Sequence, residues 1–197
     1  MPPIDRIAEL QQLIADFASI ERVLNLADKN RFENDADHSF GLALTAWFLA
    51  GKLAPKLDQQ KILKYAIAHD IVEIHAGDTY LFAPTEHLDS KSDREDAALA
   101  RLAEEWPDFP ELIEYAQGYK NGRDEEAKFV YALDKLLPVL LVNLGEKNKY
   151  WNRHKITKEM LLAKKEKMKV SKYIAPYYVE LHKWLNEHDY FYKENPK

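Results

Sequence analysis

The sequence predicts an all-α protein, a helical bundle with additional helices at its C-terminal end. Apolar side chains recur at helical spacing along most of the 197 residues, and no pair of alternating apolar runs indicates a β hairpin. Six glycines are about 3% of the chain, where average usage is about 7%, so a β sandwich or a Rossmann sheet would lack residues for its tight turns. A chain of this length can bury a stable core, and we expect one domain over residues 1–197.

Three helices are predicted in the first part of the chain. One extends over Ile7 to Phe17, and the next carries Leu42 to Leu53 and follows Asp37. Asp58 can cap the third, which is apolar on nearly all sides and should end by Gly77. A helix of that kind is expected at the centre of a fold.

Five more helices are predicted further along. Two surface helices begin at about Ser90 and at Pro110, and a very apolar helix extends from Asp124 to Leu144. Pro138 lies inside that helix and should kink it. Two amphipathic helices follow, near residues 157–172 and 176–188.

The composition excludes several kinds of site. Without cysteine, the chain can form neither disulfides nor thiolate metal sites. The N-terminus has no basic segment followed by an apolar one, and there is no run of 18 consecutive apolar residues. We therefore expect a soluble, cytoplasmic protein without membrane association.

Charge and aromatic residues are distributed unevenly. Residues 1–145 contain 15 basic and 26 acidic side chains, whereas residues 146–197 contain 13 and 7, together with nine of the 23 aromatic residues. Such a basic, aromatic segment can bind nucleic acid, but amphipathic helices with a solvated lysine face explain the same pattern and are favoured. We expect the aromatic side chains to pack on the body or on a second subunit, and the protein to form a homodimer.

Four polar residues lie in or beside very apolar helices, where burying them costs several kcal/mol unless they are paired. His69 and Asp70 lie in the third predicted helix, Asp134 lies in the helix that ends at Leu144, and His38 opens the second helix. Two imidazoles and two carboxylates from separate helices suit one divalent transition metal ion and leave positions for water. The candidate metals are Mn, Co, Fe, Ni and Zn, and the sequence does not distinguish them.

The surroundings of the pair His69-Asp70 strengthen this signal. A His-Asp pair alone is uninformative, and a second one at His188-Asp189 is treated as coincidence. Glu73 follows His69 by one helical turn and shares its face, and Gly77 with Asp78 stands where the helix must stop. The alternative is structural: Glu73 pairs with His69 inside the helix, and the aspartate caps a helix or forms a salt bridge.

Three segments carry a family resemblance. They are NRFENDADHS at 30–39, HDIVEIHAGDT at 69–79 and EAKFVYALDK at 126–135. Their ordered pattern resembles the HD-domain metal-dependent phosphohydrolase superfamily, and in particular its bacterial 5′-deoxynucleotidases, over about residues 18–140. The resemblance implies a bundle with a metal site between central helices and hydrolysis of a nucleoside 5′-monophosphate, with residues 146–197 as a helical extension. The implied metal ligands are His38, His69, Asp70 and Asp134.

Charge then suggests roles for the neighbouring residues. Glu73 and Asp78 are the carboxyls available to position or deprotonate water and to protonate the leaving alkoxide. A phosphate that enters beside two carboxylates needs compensating cations, although each basic candidate could equally form an ordinary surface salt bridge. The candidate substrate-binding residues are Arg22, Arg31, Thr79 and Lys135.

Three functions remain open. The favoured one is a phosphomonoesterase that removes the 5′-phosphate from deoxyribo- or ribonucleoside monophosphates. The others are a phosphodiesterase or nucleoside polyphosphate hydrolase of the same superfamily, and a non-catalytic nucleotide-sensing module. A polyphosphate would need more cations than the acidic body of the chain provides.

One departure from the deoxynucleotidase pattern bears on selectivity. With one residue taken as inserted between it and His38, Arg22 falls where those enzymes have a phosphate-orienting arginine. They have a tryptophan directly after that arginine, whereas this chain has Val23. A ring that would crowd the ribose 2′-hydroxyl is therefore missing, unless Phe32 or Tyr80 supplies it.

Overall fold

The computed structural model of the protein describes residues 1–26, 31–145 and 147–193. Helices dominate these residues, which confirms the predicted all-α class, and none of them is long and apolar enough to cross a membrane. The helices are α1 Ile4–Ala18, α2 Asp35–Leu53, α3 Gln59–Ala68, α4 Glu73–Ala76, α5 Thr85–Asp89, α6 Lys91–Glu105, α7 Pro110–Lys120, α8 Glu125–Leu144, α9 Asn148–Arg153, α10 Lys158–Lys165 and α11 Ala175–Glu187, with a 3-10 helix at Glu166–Val170.

Side-chain caps fix where the central helices begin. Asn34 and Asp37 form a reciprocal capping box at the start of α2: the Asn34 side chain accepts from the Asp37 amide at 2.8 Å, and the Asp37 carboxylate accepts from the Asn34 amide at 3.2 Å. Asp58 caps α3, as predicted, and Asp124 caps α8. The caps satisfy amides that the first turn of a helix leaves unpaired, so each helix starts at a defined residue.

A short hairpin that the sequence did not indicate precedes α2. Its strands β1 (Glu21–Asn25) and β2 (Phe32–Asn34) are antiparallel, with Glu21 opposite Asn34. The prediction of no β hairpin was therefore wrong. The strands are only five and three residues long and their register is irregular, so they show no clean alternation of apolar and polar side chains.

The third predicted helix is interrupted at its polar residues. α3 ends at Ala68, α4 begins at Glu73, and the residues between them form tight turns. Backbone hydrogen bonds there join residues three apart, from Ile71 N to Ala68 O at 3.2 Å and from Glu73 N to Asp70 O at 2.8 Å. Gly77 then ends α4, as predicted, at a φ of 72° that glycine adopts without strain.

Pro138 lies inside α8, as predicted. Other differences concern the number of the predicted helices and where they end. The helix predicted near 157–172 divides into α10 and the 3-10 helix that follows it. α5 and α9 were not predicted, because elements of five and six residues are too short to show a helical period.

Two apolar clusters meet at α3. On one side, Ile62, Tyr65 and Ala66 belong to a large cluster with residues of α2, α8 and the C-terminal extension. On the other side, Ala68 packs with Ile71 in a smaller cluster that includes residues of α1, α6 and α7. The all-round apolar surface of α3 is thus explained by its central position.

The C-terminal extension contributes to the larger cluster. Trp151, Ile156, Ile174 and Leu185 are almost fully buried there. The ring centroids of Trp151 and Phe191 lie 4.8 Å apart. Aromatic side chains of the extension therefore cover the body of the protein, and we propose that the extension and the preceding helices fold as one unit.

Replacing Trp151 by alanine tests this unity. The indole is 2% exposed, so Trp151→Ala should lower the free energy of unfolding by about 3–5 kcal/mol, with a single cooperative transition in urea followed by circular dichroism. Val179→Ala, in the same extension but at a side chain that is 55% exposed, should change it by less than about 1 kcal/mol. Two separate transitions in the wild-type protein would contradict folding as one unit.

Candidate metal centre

Separate elements of the fold bring donor atoms of His38, His69 and Asp134 into one group, and Asp70 lies beside it, in contact with His69. His38 lies near the start of α2, His69 and Asp70 lie in the tight turns after α3, and Asp134 lies midway along α8. His38, His69 and Asp134 are 3%, 4% and 5% exposed, respectively. The site is therefore buried among the central helices, as the predicted architecture requires.

Donor atoms of these residues face one another at distances that suit a metal site. His38 Nε2 lies 3.0 Å from Asp134 Oδ1, and His69 Nε2 lies 2.9 Å from Asp70 Oδ2. Donor atoms of His38, His69 and Asp134 all lie within 4.8 Å of one another. Ligands that share an ion at about 2.0–2.2 Å are roughly 3 to 4 Å apart, so small movements close this set around one ion.

The hydrogen bonding of His69 leaves one ring nitrogen for an ion. Nδ1 donates to the carbonyl oxygen of Ala66 at 2.9 Å, so in the neutral ring Nε2 carries a lone pair. This nitrogen is buried and has no hydrogen-bond partner among the described residues. It lies 2.9 Å from the carboxylate of Asp70, a second acceptor, and a metal ion or a proton on Nε2 removes the repulsion between the two. The donor set thus fits a metal ion.

Carboxylates on both sides of His38 draw positive charge to its ring. Nδ1 lies 3.7 Å from Glu33 Oε1, while Nε2 faces Asp134. Burial and Arg22 lower the pKa of His38, but the carboxylates of Asp134 and Glu33 outweigh them and raise it to about 9. A metal cation competes with a proton for the same lone pair, so this environment also favours a metal.

Two donors hold the second oxygen of Asp134. The Tyr119 hydroxyl donates to Oδ2 at 2.7 Å, and Lys135 Nζ donates to it at 2.5 Å. Burial acts to raise the pKa of Asp134, but Lys135 and His38 hold it well below its usual range. Asp134 therefore stays ionised and keeps Oδ1 directed at His38, as hydrogen-bond partners commonly orient metal ligands.

Arg22 enters the site from β1 and pairs with three carboxylates. Its Nη1 lies 3.0 Å from Asp70 Oδ2 and 3.2 Å from Asp35 Oδ1, and its Nε lies 3.3 Å from Glu33 Oε2. Burial lowers the pKa of the guanidinium, but the surrounding carboxylates raise it well above its usual value, so Arg22 stays charged. The unpredicted hairpin thus places a cation directly beside a candidate metal ligand.

Glu73 adds a carboxyl group that is held protonated, whereas Asp134 is held ionised. Oxygen atoms of Glu73, Asp70 and Asp35 lie within 4.8 Å of one another. Burial, followed by the charges of Asp70, Asp35 and Asp78, raises the pKa of Glu73 to about 11. Burial also raises the pKa of Asp78. Glu73 therefore carries a proton at neutral pH that it can donate.

A cavity of about 150 Å³, called here the aromatic cavity, opens beside these groups. Part of its wall is charged, and Thr79, whose hydroxyl accepts a hydrogen bond from Arg94 at 3.0 Å, also belongs to it. The rest of the wall is largely apolar. The charged lining includes Arg22, Asp70, Glu73, Asp78, Asp134 and Lys135, and the apolar lining includes Val23, Tyr80, Phe82, Tyr150 and Trp151.

Arg31 is placed apart from the other predicted substrate-binding residues. Its guanidinium pairs with Asp37, its side chain is 52% exposed, and it is not among the described residues that line the aromatic cavity. Phe32, a candidate for the missing ring, is exposed and likewise outside that lining, whereas Tyr80 belongs to it.

Several residues of the site escaped the sequence analysis. Asp35, Tyr119 and Lys165 are buried polar residues in or beside the centre. Lys165 carried a usable signal: it follows Leu161 by four residues and precedes Met168 by three, so it occupies the buried face of its segment. The sequence held no such signal for Tyr119, because the contact of its hydroxyl with Asp134 depends on how α7 packs against α8.

Comparison with known proteins agrees with this geometry. A family model described as HD domain matches residues 17–174. The 5′-deoxynucleotidases HDDC2 of Mus musculus and Xenopus laevis are each 29% identical to the chain over 112 residues, which cover 55% of this chain and 53% of each relative. The chain thus spans about half the length of the curated relatives it matches.

Solved structures share the fold over nearly the whole chain. A predicted metal-dependent phosphohydrolase from Magnetospirillum magnetotacticum MS-1 is 28% identical with a TM-score of 0.79, covering 98% of this chain and 100% of that one. The PH0347 protein of Pyrococcus horikoshii OT3, at 24% identity and a TM-score of 0.60 over 91% of this chain and 96% of that one, shares the fold. The resemblance found in the motifs is confirmed, and the chain belongs to the HD domain family.

Proposed function

We propose that the protein is a metal-dependent phosphohydrolase that removes the 5′-phosphate from deoxyribo- and ribonucleoside monophosphates. The observation that carries this proposal is the aromatic cavity, in which a charged wall beside the metal-ligand candidates meets an apolar, ring-rich wall. A nucleotide has the same two parts, an anionic phosphate and a flat base that stacks on aromatic side chains.

One divalent transition metal ion, Mn, Co, Fe, Ni or Zn, would be held by two imidazoles and two carboxylates. When bound, such an ion polarises a phosphoryl oxygen and lowers the pKa of water. The two carboxylates balance its charge, and the imidazoles add none. The ligands are His38, His69, Asp70 and Asp134.

The chain's own residues supply phosphate binding and proton transfer. The guanidinium of Arg22 is charged and forked, so it can bind two oxygens of a phosphate group. Glu73 gives its proton to the 5′-oxygen as the bond from phosphorus to that oxygen breaks, and Asp78 accepts a proton from the attacking water. Lys135 Nζ donates to Asp134 Oδ2 and lines the aromatic cavity, so it places positive charge beside the incoming phosphate.

The names of the relatives support the same substrate class. The mouse and frog proteins are named 5′-deoxynucleotidases, and the Magnetospirillum protein is described as a metal-dependent phosphohydrolase. A hydrolase of more highly phosphorylated nucleotides is the second candidate, because Lys91, Lys135 and Lys165 add positive charge that the net charge of the chain conceals. Phosphate release from nucleoside mono-, tri- and cyclic phosphates distinguishes the two, and a nucleotide sensor would bind without releasing any.

The metal assignment is tested with Asp134→Ala. Because this change removes a ligand that also faces His38, the purified protein should lose most of its metal, about one ion per chain in the wild type, by elemental analysis. His75→Ala is the control, since His75 pairs with Glu105 away from the four ligands and its loss should leave metal content unchanged. Full metal occupancy in Asp134→Ala would refute the ligand set.

The role of Glu73 is tested with Glu73→Gln, which keeps the shape of the side chain but cannot transfer a proton. Turnover should fall by a factor of roughly 10² or more, while metal content stays the same. Glu105→Gln, on the surface at the end of α6, should retain full turnover. If Glu73→Gln also retains full turnover, Glu73 is only structural.

Selectivity is tested through Val23, which lines the aromatic cavity. The small side chain of Val23 leaves room for a 2′-hydroxyl. The kcat/KM values for deoxyribo- and ribonucleoside monophosphates should therefore agree within about tenfold, which corresponds to a difference in activation free energy of less than roughly 1.4 kcal/mol. Val23→Trp should increase the preference for the deoxy substrate, and Val23→Leu should not. A strong deoxy preference in the wild type that Val23→Trp leaves unchanged would show that another side chain, such as Tyr80, provides the filter.

We also propose that the protein is a homodimer whose contact surface is the exposed face of α2. Phe40, Leu44, Trp47 and Phe48 form one stripe on this helix and are between 52% and 72% exposed. A twofold axis brings the same stripe of two subunits together. Light scattering should give about twice the monomer mass of 23.0 kDa, and Trp47→Glu should halve it, whereas Val179→Glu on α11 should not. A wild-type monomer at all concentrations would contradict the dimer.

A further inference from the structure

A second cavity, called here the lysine cavity, adjoins the metal centre. Its volume is about 370 Å³, and it shares Asp70, Lys135 and Lys165 with the aromatic cavity. Six lysines but only two carboxylates, Asp70 and Glu95, line it among the described residues. This part of the wall is therefore cationic, although the chain as a whole is acidic. The six are Lys91, Lys120, Lys135, Lys164, Lys165 and Lys167.

Lys165 differs from the other inner lysines because it has no counter-ion. Lys91 pairs with Glu95 at 3.2 Å, and Lys135 pairs with Asp134. Lys165 is 3% exposed, yet its ammonium group forms neither a hydrogen bond nor an ion pair with any residue that the structure describes. Burial and the nearby charge of Lys135 lower its pKa to about 7.

A purely structural role does not account for this lysine. Its backbone position lies on the buried face of α10 in phase with Leu161, where an apolar side chain would pack at lower cost than an unpaired amine. An anion in the lysine cavity would supply the missing counter-charge.

The two cavities also differ in the charged groups that an anion inside them would meet. Glu73 and Asp78 line the aromatic cavity but not the lysine cavity. Lys91, Lys135 and Lys165 line both cavities, but in the lysine cavity Lys120, Lys164 and Lys167 join them and Glu73 and Asp78 do not. Coulomb attraction favours the lysine cavity for any phosphate beyond the one that is being hydrolysed.

We propose that the lysine cavity is a phosphate-binding subsite in which Lys165, assisted by Lys91 and Lys135, binds a phosphate group next to the metal centre. The inference rests on the proposed function and extends it, since that reaction releases inorganic phosphate. The bound group is either this product or a second phosphate carried by the substrate, and both offer the same oxygens to the ammonium groups.

Calorimetric titration of inorganic phosphate into the full-length protein tests the subsite without relying on catalysis. Lys165→Met removes the charge but keeps the length and apolar stem of the side chain. Phosphate should bind at least about tenfold more weakly to this variant, both with metal and after chelation. Lys183→Met is the matched control, because Lys183 is an exposed lysine on α11 that pairs with Glu180, and phosphate binding should be unchanged.

Steady-state kinetics identify the source of the phosphate. If the subsite holds the product, the inhibition constant of inorganic phosphate should rise more in Lys165→Met than the KM of a nucleoside 5′-monophosphate. If it holds a second phosphate of the substrate, the KM of a nucleoside 3′,5′-bisphosphate should rise more than that of the monophosphate.

Equal phosphate binding by the wild type and Lys165→Met would overturn the subsite, even in a protein that hydrolyses nucleotides. Phosphate binding that depends on Lys165 in a protein that hydrolyses no nucleotide would instead support the subsite and overturn the proposed function. Lys165→Gln provides a second neutral variant, and thermal unfolding of both variants verifies that they are folded.

Discussion

Charge compensation of a buried group of carboxylates is the constraint on which the rest of this structure depends. An unpaired buried charge costs several kcal/mol, so cations must meet these groups. Arg22 comes from β1, Lys135 from α8 and the imidazole of His38, whose pKa is raised, from α2. Because the charges come from separate elements, neutralising them fixes how the hairpin and the central helices stand relative to one another. The group consists of the buried Glu33, Asp35, Glu73 and Asp134 and the partly buried Asp70.

The same compensation divides the carboxyl groups into two kinds. Asp134 faces Lys135 and His38 and is held ionised, whereas Glu73 faces mainly other carboxylates and is held protonated. A candidate ligand for a cation and a candidate proton donor therefore lie within one small volume, although both are carboxylic acids. Environment, and not residue type, assigns their chemistry.

Features encoded by local sequence were predicted well, and features that depend on contacts between distant segments were not. Asp58 marks the start of α3 and Gly77 the end of α4, as predicted, because capping and a left-handed φ are local properties. The candidate metal ligands could be chosen because polar residues in apolar helices are visible in a sequence. The hairpin was missed because β1 and β2 are short and show no regular alternation of apolar and polar side chains. The pairing of Arg22 with Asp35 depends on that hairpin and was equally invisible.

The residues that line the aromatic cavity come from two parts of the chain, which contribute different groups. The proposed metal ligands and proton carriers all lie between His38 and Asp134, but Tyr150, Trp151 and Lys165 of the wall come from the extension. A substitution in the extension can change the shape and charge of the space offered to a substrate without touching a donor atom of the centre. The set of molecules that fit the aromatic cavity can therefore change through the extension alone, while the candidate ligands and proton carriers stay in place.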